Sequence, residues 1–244
     1  MRKRRAMPLL RKSEATKGHP PARERLLAAA LREFGDKGFA GARVDKITRE
    51  ANTNKQLVYH YFGNKEALFK AVLELAYREY SANALRLAIE TLDAKTALRR
   101  FIDQMFRPSS ATVYFNQILQ DENRFGARHV KLLPSVKQTY VEVIKVVQAI
   151  LSKGVKEGVF RGGIDPREFY VSLVGTFNLR TMNARTLGAA IGVPLETDAG
   201  MARSRAAAFD LILHGISSRT GHSRPKRARR RSIANARASR GTSR

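Results

Sequence analysis

The chain is predicted to be all-α, on three observations. Apolar residues recur at spacings of three and four from Pro21 onward, no segment alternates as a half-buried strand would, and capping residues mark several helix starts. Leu27, Ala30, Leu31 and Phe34 stripe a first helix expected to stop at Gly38, where a left-handed residue costs little. Val44, Ile47 and Ala51 stripe a short second helix, Asn52-Thr53-Asn54 supplies turn-tolerant residues, and Lys55 to Phe62 forms a third helix anchored through Leu57, Val58 and Phe62. Asn64 caps a fourth, longer helix with Leu68, Val72 and Leu75 on its inner side.

Further helices are expected at 94–107, 111–125, 134–157, 166–187 and 199–217. In Asp165-Pro166-Arg167-Glu168, Asp caps, Pro sits at the first helical position and Glu completes a capping box. Val136, Tyr140, Val143, Val147 and Ile150 form a coiled-coil-like seam along the 134–157 helix. Tyr170, Leu173, Val174 and Phe177, with Phe209, Ile212, Leu213 and Ile216, are expected to build a four-helix interface between two copies of the chain.

Charge and composition narrow the function. The 244 residues carry a net charge of +25, which points to a polyanionic partner, nucleic acid first and a membrane surface second. Residues 1–25 hold nine Lys/Arg against two acids, and residues 219–244 hold ten against none. These ends are too poor in large apolar groups to offset the entropy of ordering, so 1–20 and 219–244 are expected to be disordered basic arms. They flank a head at 21–66 and a helical body at 67–218. With no cysteine, disulfides and thiolate chemistry are excluded. No stretch reaches the roughly 18 apolar residues of a membrane span, and no signal peptide opens the chain, so the expected location is the cytoplasm. His19, His129, His214 and His222 are scattered, no metal or other cofactor is expected, and no nucleotide loop, zincin motif or nucleophile elbow suggests an enzyme.

The third helix has two sides with different chemistry. Leu57, Val58 and Phe62 anchor it, leaving Lys55, Gln56, Tyr59, His60 and Tyr61 outward, where Lys55 can reach guanine and Gln56 adenine in a major groove. Asn54 and Arg43 stand at the starts of the third and second helices, within reach of the same duplex. The bland alternative for Tyr59 and Tyr61, an aromatic core cluster, loses weight because residues 26–69 resemble the DNA-binding domain of the TetR family along their whole length. The telling pieces are Phe34 with Gly38-Phe39, the Ile47 to Ala51 helix, Leu57-Val58-Tyr59-His60-Tyr61-Phe62 and Asn64-Lys65-Glu66-Ala67-Leu68.

The resemblance implies a three-helix helix-turn-helix domain joined by a long helix to a ligand-binding and dimerisation domain. It further implies a homodimer on palindromic double-stranded DNA, acting as a repressor released by a small-molecule inducer of unknown identity. By the same resemblance Tyr59 lies against a base or thymine methyl, Tyr61 bonds a phosphate, and Lys65 holds another beside free helix amides. Two positions depart from the family: Ala42-Arg43 replaces the usual hydroxyl cap, with Arg43 supplying charge in its place, and Ala51-Asn52 replaces Ala-Gly, Asn being able to adopt positive φ. Inducer is expected to move the 134–157 helix and helix four.

For the ligand, the body offers Met105, Phe106, Phe115, Leu119, Asn123, Phe177, Asn178 and Met182, an apolar set accompanied by the polar groups Asn123, Asn178, Arg180 and Asn183 on helices expected to be largely buried. The rival reading of the whole chain is a non-specific architectural protein that coats DNA through its basic arms, which would bind every duplex alike.

Overall fold

In the computed structural model of the chain, residues 20–85, 87, 89–106 and 110–218 are described. The expected basic arms lie, apart from Pro20, outside these residues. The first helix, α1 (Ala22–Gly41), buries Leu26, Leu27, Ala30, Leu31 and Phe34. Its regular helical geometry is interrupted at Gly38, the position expected. Gly38 takes φ 67°, ψ 174°, and the helix bends there and runs on to Gly41. The bend persists because the Phe39 amide it releases donates to Oδ2 of Asp121 at 2.7 Å, an acceptor 82 residues away that no local pattern announces.

Helices α2 (Val44–Glu50) and α3 (Lys55–Phe62) follow, and the turn between them is made by Asn52 at φ 49°, as its residue type allows. Asn54 caps α3 by accepting from the Leu57 amide at 3.0 Å. Asn64 caps α4 (Lys65–Leu85) by accepting from the Ala67 amide at 2.8 Å. At 1.5 Å per residue α4 spans roughly 32 Å and leaves the head as a rod.

The body contains α5 (Ala94–Met105), α6 (Ser110–Arg124), α7 (Pro134–Lys156), α8 (Pro166–Met182), α9 (Ala184–Ile191) and α10 (Asp198–Ile216). Its first core is continuous with that of the head: Phe115 and Ile118 of α6 and Val136 of α7 join Phe34, Val58, Phe69 and Val72 in one buried cluster. Close approach of α6 to α1 requires Gly35, where a Cβ would stand 2.7 Å from the Tyr114 ring. A second cluster holds Leu98, Phe101 and Ile102 of α5, the α7 seam residues Val143, Val147 and Ile150, Leu173 of α8 and Phe209 of α10. The seam predicted for α7 is therefore present, and it packs lengthwise within the chain.

Two expectations change. The helix predicted over 166–187 breaks at Asn183, which leaves helical geometry at φ −112°, ψ 16°. Asn is a residue whose side chain competes with the helical backbone. The chain then turns into α9, whose Gly188 packs so close to the Val193 carbonyl that a Cβ would meet it at 2.6 Å. The predicted Asp165 cap and the Pro at the first position hold, with Asp165 Oδ1 accepting from the Arg167 and Glu168 amides at 2.8 and 3.0 Å.

The second change concerns the interface stripe. Tyr170, Leu173, Phe177, Phe209 and Ile216 are buried in the chain's own second core, and Val174, Ile212 and Leu213 pack against it. An apolar stripe is used first to close the core at hand, and periodicity does not say whose core that is. The large apolar side chains left in the open on the same two helices are Val171, 62% exposed, Leu179, 51%, and Leu211, 71%. No helix among the described residues is long and apolar enough to cross a membrane.

The bend at Gly38 gives a stability test. A Cβ there would sit in a backbone region that is nearly glycine's alone and 2.9 Å from Asp121 Oδ2. Gly38→Ala is expected to cost about 1–3 kcal/mol in denaturant unfolding. Gly41→Ala, where the added Cβ meets only the Lys37 Cβ at 3.5 Å, is expected to be neutral or stabilising.

Candidate nucleic-acid interface

Helix α3 is short, and its position is set from below and behind. Val58 is fully buried, and Leu57 and Phe62 are half-buried against the head core. Arg25 on α1 donates through Nε to the Ala51 carbonyl at 2.9 Å, fixing the turn that leads into α3. With its inner face held, α3 presents the predicted outer face: Lys55, Gln56 and His60 are exposed, as are Tyr59 (55%) and Tyr61 (41%). Tyr59 and Tyr61 thus offer rings and hydroxyls of the kind that can cover a base edge or bond a sugar-phosphate backbone.

The charged residues around α3 are not all free. Lys55 Nζ stands 2.6 Å from Asp45 Oδ1 on α2, with both side chains more than half exposed. The Asp45 carboxylate beside it pushes the Lys55 ammonium upward, so it stays charged. An exposed pair of this kind is worth at most about 1 kcal/mol and gives way readily to a guanine or a phosphate. Lys65 is half-buried, donates to the Ala40 carbonyl at 3.3 Å and stands 5.1 Å over the Phe39 ring, and burial lowers its pKa. Asn54 is placed at the expected helix start with its side-chain oxygen engaged in the cap, leaving the amide nitrogen to reach outward. Arg43 is exposed at the start of α2.

Sequence reasoning missed Glu33. It is buried, accepts the Arg43 amide at 3.2 Å and pairs with Lys46 Nζ at 2.6 Å. Burial alone would raise its pKa, but the Lys46 ammonium and the Arg43 amide outweigh that and hold it low. The carboxylate thus takes over the amide-capping work that the missing hydroxyl at 42–43 would do. An acidic residue on the otherwise apolar inner side of α1 was the available signal.

The predicted ligand residues do not come together as one group. Met105, Phe106 and Phe177 are buried in the second core, with the Phe106 and Phe177 rings stacked 4.9 Å apart. Phe115 and Leu119 belong with the first core, near the head. Asn178 stands beside the Tyr80 hydroxyl, and Met182 is half-buried at the end of α8. Asn123 and Asn183 are exposed, and the Arg180 side chain lies outside the described residues. The buried polar groups on α6 are instead Asn116 and Glu122. Burial pushes the hydroxyls of Tyr77, Tyr80, Tyr140 and Tyr170 upward, so this interior is lined by neutral phenols. A cavity of about 550 Å³ opens between α5, α8 and α10, and of the predicted ligand residues Phe177 lines it.

Two family models match the chain: the one described as bacterial regulatory proteins, tetR family, over residues 26–72, and the one described as the tetracyclin repressor-like C-terminal domain over residues 95–212. The HTH-type transcriptional repressor NicS of Pseudomonas putida is 28% identical over 194 residues, covering 80% of this chain and 92% of that protein. The HTH-type transcriptional repressor SCO4008 of Streptomyces coelicolor is 52% identical over 64 residues, 26% of this chain and 30% of that protein. Among solved structures, the TetR family transcriptional regulator PfmR of Thermus thermophilus has a TM-score of 0.59 at 25% identity, covering 78% of this chain and 97% of its own. A reading head and a helical body are each matched by the same family's models, on a fold shared nearly end to end with a solved member, and the chain belongs to the TetR family of transcriptional regulators.

Proposed function

We propose that the chain is a dimeric transcriptional repressor, not an enzyme, which binds a palindromic operator in the cytoplasm and is released by a small-molecule inducer. The observation that carries this reading is α3, a helix locked by Val58 on one side and carrying exposed Lys55, Gln56, Tyr59, His60 and Tyr61 on the other. In a dimer two such helices enter major grooves on one face of the duplex, about one helical turn apart. Tyr59 covers a base or thymine methyl, Lys55 and Gln56 read base edges, and Tyr61, Lys65, Arg43 and Asn54 hold phosphates. The names of two relatives as repressors support the direction of regulation. The second copy docks on the open apolar faces of α8 and α10, where Val171, Leu179 and Leu211 await burial.

Release requires the ligand to favour a dimer whose heads are spread, by a coupling of typically about 1–3 kcal/mol. The route to the heads runs through α6 as much as α4 or α7. It is α6 that packs on α1 and holds the Phe39 amide.

Selection from random duplexes is expected to return one short palindrome, where a coating protein would show no preference. Tyr59→Ala is expected to abolish binding to that operator at fixed salt while thermal stability is unchanged, because more than half of the residue is exposed. Gln56→Ala should relax one base position, at about 1–3 kcal/mol of discrimination. An unchanged operator affinity in Tyr59→Ala would refute the assignment of α3.

Light scattering is expected to show a dimer at micromolar concentration, and Leu211→Glu or Val171→Glu to shift it toward monomer. Removing 1–20 and 219–244 should weaken binding to every duplex alike and flatten the salt dependence, by about 0.9 in log–log slope for each phosphate the arms no longer neutralise, leaving the preferred sequence unchanged.

A further inference from the structure

The cavity between α5, α8 and α10 has a chemistry that specifies a ligand class. At about 550 Å³ it falls within the roughly 300–1,000 Å³ of small-molecule sites. Ile102, Phe177, Met201 and Phe209 supply apolar walls, and the Phe177 ring is fixed by stacking on Phe106 at 4.9 Å. The ionisable groups lining it are Arg99 and Asp103 from α5 and Asp198 and Arg205 from α10; α8 contributes only Phe177.

These four are not equivalent. Arg205 is engaged, donating to Asp103 at 3.0 Å and to the Phe106 carbonyl. Arg99 has no carboxylate within 4.0 Å among the described residues, and its guanidinium lies 3.9 Å over the Phe209 ring. Ring stacking leaves the N–H edges of a guanidinium free for a bidentate acceptor, and carboxylate fits that fork. Asp198, exposed on the first turn of α10, likewise has no cation within 4.0 Å among the described residues. One cation and one anion without an ionic partner among the described residues therefore line a single cavity whose remaining walls are apolar side chains and the Arg205–Asp103 pair.

We propose that this cavity binds a small organic acid with a flat apolar body, its carboxylate on Arg99 and a hydrogen-bond donor at its other end on Asp198. This rests on the reading of the chain as a ligand-responsive regulator and supplies the class of its effector. A dianion would meet the Asp198 and Asp103 carboxylates, and a simple cation would meet Arg99, whereas a molecule acidic at one end and donating at the other satisfies both free groups.

Calorimetric titration of the full-length chain without DNA tests it with three probes of similar size: indole-3-acetate, which has both features; indole-3-acetamide, which lacks the charge; and 1-naphthaleneacetate, which lacks the donor. Indole-3-acetate is expected to bind about tenfold more tightly than either of the others, the scale of one charge-assisted hydrogen bond. Arg99→Gln should bring the acid down to the amide, Arg99→Lys should recover part of the difference, and Asp198→Asn should bring indole-3-acetate down to 1-naphthaleneacetate. Both side chains are exposed, so the variants are expected to fold, which circular dichroism checks. Absence of heat with all three probes, equal binding of acid and amide, or discrimination that survives Arg99→Gln would each overturn the proposal. Because no DNA is present, such a failure leaves the operator reading standing, and a chain that ignores DNA can still give the expected titration.

Discussion

The arrangement of head and body depends on one hydrogen bond and the acid that makes it. Asp121, on α6, accepts the Phe39 amide at 2.7 Å, and its carboxylate fills the space where any Cβ at position 38 would stand. A helix bent at Gly38 exposes an amide that water or protein must satisfy. Supplying the partner from α6 binds the end of α1 to the body. Gly35, one turn earlier, lets Tyr114 close the rest of the α1–α6 contact.

The neighbouring residue completes the joint. Glu122 is buried and accepts the His129 and Val130 amides at 3.0 and 3.2 Å while its other oxygen meets His129 Nδ1 at 2.5 Å. The imidazole in turn packs against Phe39 and Phe69, with ring centroids 4.9 and 4.8 Å away. Phe39 is thus held by its backbone to Asp121 and by its ring to the histidine that Glu122 orients. The Lys65 ammonium stands 5.1 Å over the same Phe39 ring. A shift of α6 along its axis would therefore act on Phe39 and on the Lys65 end of α4 together. Packed elements of this kind have discrete arrangements, which is what a ligand needs in order to move a head some distance from its own site.

Much of this was legible in the residues. The order and type of the helices, the Asn52 turn, the Asn54, Asn64 and Asp165 caps and the two faces of α3 all rest on local rules, and local rules are written in contiguous sequence. The failures share a cause: they concern which of two surfaces meets which. Phe177 and Phe209 have the spacing of an interface stripe and serve the chain's own core. The break at Gly38 is legible, but the acid that satisfies the amide it releases is 82 residues away. His129, apparently a stray histidine, is a buried partner of Glu122, and Glu33 replaces a cap whose absence was visible but whose substitute was not. The ligand residues scattered for the same reason, since a cavity is made by the meeting of distant helices.

Amide hydrogen exchange tests the joint most directly. If Asp121 ties the head to the body, Asp121→Ala should speed exchange at Phe39 and also across the buried amides of α1 to α3, by about tenfold for each 1.4 kcal/mol of coupling removed, while the α7 and α8 amides keep their protection. Acceleration confined to Phe39, or none at all, would mean that the head is held by its apolar contacts alone and that the acid on α6 is not what the arrangement depends on.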